Sequence, residues 1–291
     1  MIFFISLVLG LISALAGAVA NIYAQKVMRF TSSRNFIALN FCMLALILLP
    51  GIPFMFELKP TWAFWLAFMV IVLTDVLSNY LYFKAFEVQD AVTASTFISL
   101  APLFTLGLIP FIHNGSDHPF TMLTVVGILL ICTGIILLNR ELQKSPKPSN
   151  QPAHTRFVFL LIPIGFAFIT GTNIYLAKWL FSSQLVNPYT YYFIRAIMIA
   201  FFSWLIFKPD FSWVNRQTLK ISFGRSLVVA LQYLLLLYAL EAGSPAIIKA
   251  ASDTTPLFVL FYSTVILKLA LTRLKILGVF LILSGLILIA L

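Results

Sequence analysis

Ten apolar stretches of roughly 18–24 residues follow one another along the chain, near 2–24, 35–54, 62–83, 91–112, 119–138, 157–180, 189–207, 220–240, 245–267 and 274–291. As a helix rising about 1.5 Å per residue, each is long enough to cross a hydrocarbon core of about 30 Å. A bilayer offers the backbone no water, so a spanning segment must be a helix or part of a closed barrel. These runs lack the alternation of barrel strands and are about twice their length. The expected fold is therefore an all-α polytopic membrane protein with ten transmembrane helices. Only 10% of the residues are charged and 61% are hydrophobic, where a soluble domain carries about a quarter charged residues. Soluble enzymes and nucleic-acid-binding modules do not have this composition. The formal charge of +10 sits singly or in small groups at the ends of apolar runs, where it meets lipid phosphates. Membrane lipids, and no nucleic acid, are the partners it implies. The first run has no basic region before it and continues past any cleavage point, so it is expected to stay as a span.

The chain is also written twice. A shift of 154 carries Leu77, Leu81, Ala85 and Glu87 onto Leu231, Leu235, Ala239 and Glu241, and Pro102-Leu103-Phe104 onto Pro256-Leu257-Phe258. A shift of 151 places Gly127 and Gly134 on Gly278 and Gly285, and one of 152 places Asn21-Ile22-Tyr23 on Asn173-Ile174-Tyr175. Three blocks in the same order predict two related halves, 1–138 and 157–291. Between them, 139–156 is a charged, proline-bearing linker. Five spans per half is an odd number, so the second half enters from the opposite face and the repeats are inverted, as in many transporters. Fourteen Lys and Arg residues fall in the loops after spans one, three, five, seven and nine, against Lys59 and Lys178 on the other side. Counted this way, both termini lie outside the cytoplasm.

Charged groups within a bilayer are costly, so those present line a cavity or pair with one another. Asp75 lies about thirteen residues into span three, with Ser78 beside Asn79 one turn farther along. Their counterparts, Gln232 and Tyr233, keep that level polar. Lys249 and Asp253 are one turn apart on span nine and either neutralise each other or meet a substrate or proton. Arg195 on span seven either pairs with an acid or snorkels to a headgroup. Asn21 and Asn173 form a repeated polar edge suited to hydrogen bonds between helices. Glu87 and Glu241 fall near turns, where each could cap the helix that follows. Pro102 and Pro256 lie inside spans four and nine, where each frees a carbonyl and kinks or breaks its helix. The seven-residue spacing of Gly127/Gly134 and of Gly278/Gly285 makes one small face per helix, for packing within the chain or in a dimer.

No phosphate loop, H-E-x-x-H, G-x-S-x-G or paired-Asp motif is present, so no enzyme is expected. The histidines His113, His118 and His154 fall in loops, Cys42 and Cys132 lie singly in apolar runs, and no metal or other cofactor is called for.

These repeated blocks resemble the drug/metabolite transporter superfamily, in particular its EamA-type members. The resemblance is carried by Tyr80 to Leu106 and Leu234 to Leu260, each an Ala-x-Glu helix end followed by a helix with Pro-Leu-Phe, and by the Gly-x6-Gly helices. The chain departs from the Gly-Glu pair often found after the fourth helix of a half, having Gly115-Ser116-Asp117 and Lys268-Leu269-Ala270 there. The resemblance implies cytoplasmic termini, against the charge count, and alternating access through a cavity between the halves. The implied cargo is a small organic metabolite such as an amino acid or amphipathic compound, moved across the cell membrane by a proton, counter-substrate or downhill gradient.

Overall fold

The computed structural model describes residues 2–88, 94, 98–108, 121–142, 153–265 and 272–290. Among these residues the chain is all-α, with one isolated bridge between Leu58 and Val186. The helices are α1 (Ile2–Val27), α2 (Ser33–Leu48), α3 (Ile52–Met55), α4 (Trp62–Val88), α5 (Ala101–Leu108), α6 (Met122–Leu142), α7 (Ala153–Ser182), α8 (Pro188–Phe207), α9 (Arg216–Ala242), α10 (Pro245–Ser252), α11 (Thr255–Val265) and α12 (Arg273–Ala290). A short 3-10 turn, Leu49–Gly51, joins α2 to α3. Six segments are long and apolar enough to cross a membrane: Phe3–Val27, Ser33–Met55, Trp62–Val88, Leu161–Ser182, Pro188–Phe207 and Arg216–Ala242. The outer surface is apolar too, with Phe54 87% and Trp62 82% exposed. Such a surface requires lipid rather than water, and the protein is a polytopic membrane protein.

Local chemistry sets the helix ends. Asn187 accepts the Thr190 N–H at 2.8 Å to cap α8, Pro188 occupies its first turn, and Lys208 closes it in the left-handed conformation. Asn215 and Thr218 cap α9 reciprocally. Helix α4 runs on to Val88, so Glu87 is a helix residue and not part of a loop. Its carboxylate accepts the backbone N–H of Ser33 at 3.0 Å, which caps α2 rather than the helix that follows, and pairs with Lys84 at 2.6 Å. Glu241 likewise ends α9, and its carbonyl accepts from Lys178.

Span nine is two helices. Asp253 and Thr254 form a turn between α10 and α11, because Pro256 has no N–H to give the Ser252 carbonyl. The Thr255 hydroxyl takes that carbonyl instead, at 3.2 Å, and the Thr254 hydroxyl takes that of Ala251 at 2.8 Å. Ser99 and Leu100 form a turn at the corresponding place before α5, with Pro102 second in that helix. Both prolines thus start helices after a break.

The larger core joins α1, α2, α4, α7, α8 and α9 through residues such as Phe36, Leu44, Phe68, Tyr191 and Leu237. A second core joins α6, α10 and α12 around Ile128, Ile131, Ala250 and Ile282. Helices α6 and α12 pack antiparallel through their glycines. A Cβ on Gly134 would lie 2.5 Å from the Gly278 carbonyl oxygen, and one on Gly285 2.5 Å from that of Gly127. The Gly-x6-Gly faces therefore meet within the chain. Helices α2 and α8 also run antiparallel, tied by the Tyr189 hydroxyl to the Leu48 carbonyl at one end and by the Asp210 N–H to Asn35 at the other. Helix α1 packs on α9, and α4 on α7. His113, His118, Gly115-Ser116-Asp117, Lys268-Leu269-Ala270 and most of the linker lie outside the described residues, as do much of span four and the end of span nine.

Candidate functional site

Where these helices converge, a cavity of about 120 Å³ is walled largely by polar side chains. Each wall follows helical spacing. Helix α4 supplies Asp75, Ser78, Asn79 and Tyr82, α7 supplies Phe166, Thr170 and Asn173, and α9 supplies Arg225, Val229, Gln232, Tyr233 and Leu236. Asn21 comes from α1, Arg195 from α8, and Lys249, Ser252, Asp253 and Thr255 from the broken span. The ten polar residues singled out within the spans therefore lie on one cavity, and Glu87 and Glu241, near the turns, do not. Pro102 and Pro256 stand outside the wall but start the helices that follow its two breaks.

Two ion pairs dominate the site. The Arg195 Nε donates to Asp75 Oδ2 at 2.5 Å, and both side chains are buried. Asn173 donates to the other oxygen, Oδ1, at 2.9 Å, and the Arg195 guanidinium lies 4.6 Å from the centre of the Tyr233 ring. Both oxygens of Asp75 are thus engaged, and the pair ties α4 to α7 and α8. Breaking a buried pair by removing one partner typically costs about 3–5 kcal/mol. Lys249 donates to Asp253 Oδ1 at 2.6 Å, a contact within one turn of chain that joins no two distant elements. The second oxygen, Asp253 Oδ2, is buried without a hydrogen-bond partner among the described residues.

Further polar contacts close the walls. Ser78 and Thr170 share a hydrogen bond at 3.0 Å, Asn79 donates to the Asp75 carbonyl at 2.8 Å, and Tyr82 donates to Asn21 at 2.6 Å. The Ser13 hydroxyl meets the Gln232 carbonyl at 2.9 Å and the Ser252 hydroxyl at 3.1 Å, which stitches α1 to both α9 and α10. Gly17 makes this approach possible, since a Cβ there would come within 2.9 Å of Gln232 Nε2 and Thr255 Oγ1.

The sequence reading passed over Arg225, Tyr82, Thr170, Ser252 and Thr255. Arg225 carried a usable signal, because it stands seven residues before Gln232 and so shares its helix face.

A lipid-facing all-α bundle around a buried, charged cavity defines a polytopic protein of the membrane-transporter type. The sequence profile of the EamA-like transporter family matches residues 4–140 and again 157–291, and the chain belongs to that family. A solved crystal structure aligns with 99% of this chain and 94% of its own at a TM-score of 0.73 and 16% identity, which shows a shared fold. Comparison with curated proteins yields no match.

Proposed function

We propose that the protein is a secondary transporter that moves small organic metabolites across the cell membrane by alternating access, without a cofactor and without catalysis. Its ten spans form two inverted five-helix repeats, 1–138 and 157–291, joined by the linker 139–156. The observation that carries this reading is the polar cavity, whose walls come from both halves of the chain. Two antiparallel pairings support the inversion. Span two against span seven (α2 and α8) and span five against span ten (α6 and α12) are equivalents under the sequence repeat, and inverted copies must run oppositely. The breaks at Ser99-Leu100 and Asp253-Thr254 recur at the same place in each half, where unwound backbone is tolerated because it borders a cavity.

Asp253 is the better candidate for contact with a proton or substrate. Its Oδ2 has no partner among the described residues, whereas both oxygens of Asp75 are held. A non-transporting scaffold is the second reading, favoured by the closed Lys249–Asp253 pair. The unpartnered oxygen and the polar space around it favour transport. Reconstitution into proteoliposomes loaded with a metabolite panel tests the choice. Gradient-driven or exchange flux of a ligand that binds is expected, and binding without flux under any gradient would reject transport.

A further inference from the structure

The charges on the cavity wall do not balance. Asp75 is bound by Arg195 and Asp253 by Lys249, which leaves Arg225 as a third cation without an acid among the described residues. Arg225 is only 3% exposed. Its Nη1 donates to the neutral Oδ1 of Asn40, its guanidinium stands 4.6 Å from the centre of the Phe83 ring and 5.7 Å from those of Phe36 and Tyr82, and its Nε is buried with no acceptor among the described residues. Aromatic faces and one amide recover only part of the hydration a guanidinium gives up on burial. The contrast with Arg195 is instructive. Where α8 meets α4 the arginine finds a carboxylate, but where α9 meets α2 it finds an amide. A guanidinium with an unused donor, beside a cavity that already holds balanced pairs, is matched by a carboxylate or phosphate oxygen.

We propose that Arg225 binds an oxyanion of the transported ligand, a carboxylate or a phosphate, so that the cavity selects molecules with at least one negative charge. This rests on the transport reading, whose substrate class it narrows. Asn40 lies on α2 and does not line the cavity, so replacing it by aspartate would supply an internal anion in the ligand's stead.

The test is binding to the full chain in phosphatidylcholine nanodiscs, with acetate, succinate and inorganic phosphate as probes, acetamide and succinamide as neutral counterparts, and chloride at matched ionic strength. At least one oxyanion is expected to bind while its neutral counterpart does not. Arg225→Gln should raise its Kd about tenfold or more, the loss of a charge-assisted bond, and Arg225→Lys should recover part of it. Should Arg225→Gln fail to fold, Asn40→Asp gives the same answer, because it should weaken the oxyanion about tenfold with the fold intact. No oxyanion binding, equal binding of the neutral compounds, or unchanged affinity in folded Arg225→Gln or Asn40→Asp would overturn the assignment. A response seen only when phosphatidylglycerol is added to the nanodisc would assign Arg225 to a lipid headgroup and overturn it too. Flux in parallel proteoliposomes separates the two claims. Oxyanion binding without flux defeats transport and leaves the site, whereas flux of neutral compounds insensitive to Arg225→Gln defeats the site and leaves transport.

Discussion

Replacing Asp75 by asparagine removes one charge and almost no volume, so it isolates the electrostatic part of the α4–α8 contact. In the protein, Asp75 Oδ2 takes the Arg195 Nε at 2.5 Å and Oδ1 takes the Asn173 amide at 2.9 Å. An asparagine keeps one acceptor oxygen for Arg195 or Asn173 to use, but Arg195 is left buried without its counter-charge, beside the rings of Tyr233 at 4.6 Å and Phe41 at 6.0 Å. With charge centres about 4 Å apart and an effective dielectric of about 20, the lost attraction is about 4 kcal/mol. Cation–π contact with two rings returns about 1–2 kcal/mol in a desolvated site, but it is already present in the wild type and gives no new compensation. The expected loss is therefore about 3–5 kcal/mol, the range for orphaning one member of a buried pair. Equilibrium unfolding in mixed micelles would measure it for Asp75→Asn, Arg195→Met and the double variant. The double variant should cost less than the two singles together, with a coupling of at least about 2 kcal/mol. An Asp75→Asn cost below about 1 kcal/mol, or strict additivity, would refute the ion pair as the tie between these helices.

Asp253→Asn orphans the buried Lys249, so some folded yield is lost, but flux per folded molecule, with the folded fraction read by size-exclusion chromatography, should fall about tenfold or more; unchanged flux per folded molecule would remove Asp253 from the site. Gly134→Ala reverses the usual sign of a helical glycine replacement, which gains about 1 kcal/mol. Here the new Cβ would press on the Gly278 carbonyl at 2.5 Å, and an overpacking loss of about 1–3 kcal/mol is expected in the same unfolding assay. Glu87→Ala withdraws the cap on the Ser33 N–H and should destabilise by about 1 kcal/mol, with faster amide hydrogen exchange confined to the first turn of α2.

Much of this was legible in the chain because lipid makes polar residues conspicuous. Asp75, Ser78 and Asn79 share a helix face, so their convergence needed only the helical period. Gln232 and Tyr233 followed from the repeat. Harder to read were contacts closed by the tertiary fold. The acid that receives Arg195 lies 120 positions away, and the amide that receives Arg225 lies 185 away. Local spacing puts Arg225 on the Gln232 face but names no partner for it, and it does not distinguish Arg195 from an arginine that reaches for a headgroup. Pro256 marked span nine for distortion, but the position of the break at Asp253-Thr254 depends on which hydroxyls take the stranded carbonyls. Glu87 caps α2 rather than the helix that follows because Ser33 comes beside it only after α2 has folded back against α4.

The glycine seam between α6 and α12 contributes no side chain to the cavity wall among the described residues. Carbonyl oxygens and the side chains of Ile131, Ile282 and Ile289 stand directly against the bare Cα positions, so the two backbones meet with no spare room for a sliding movement. In the proposed transport cycle this seam would be the fixed contact, and the displacement that admits or releases cargo would fall to the helices that line the cavity.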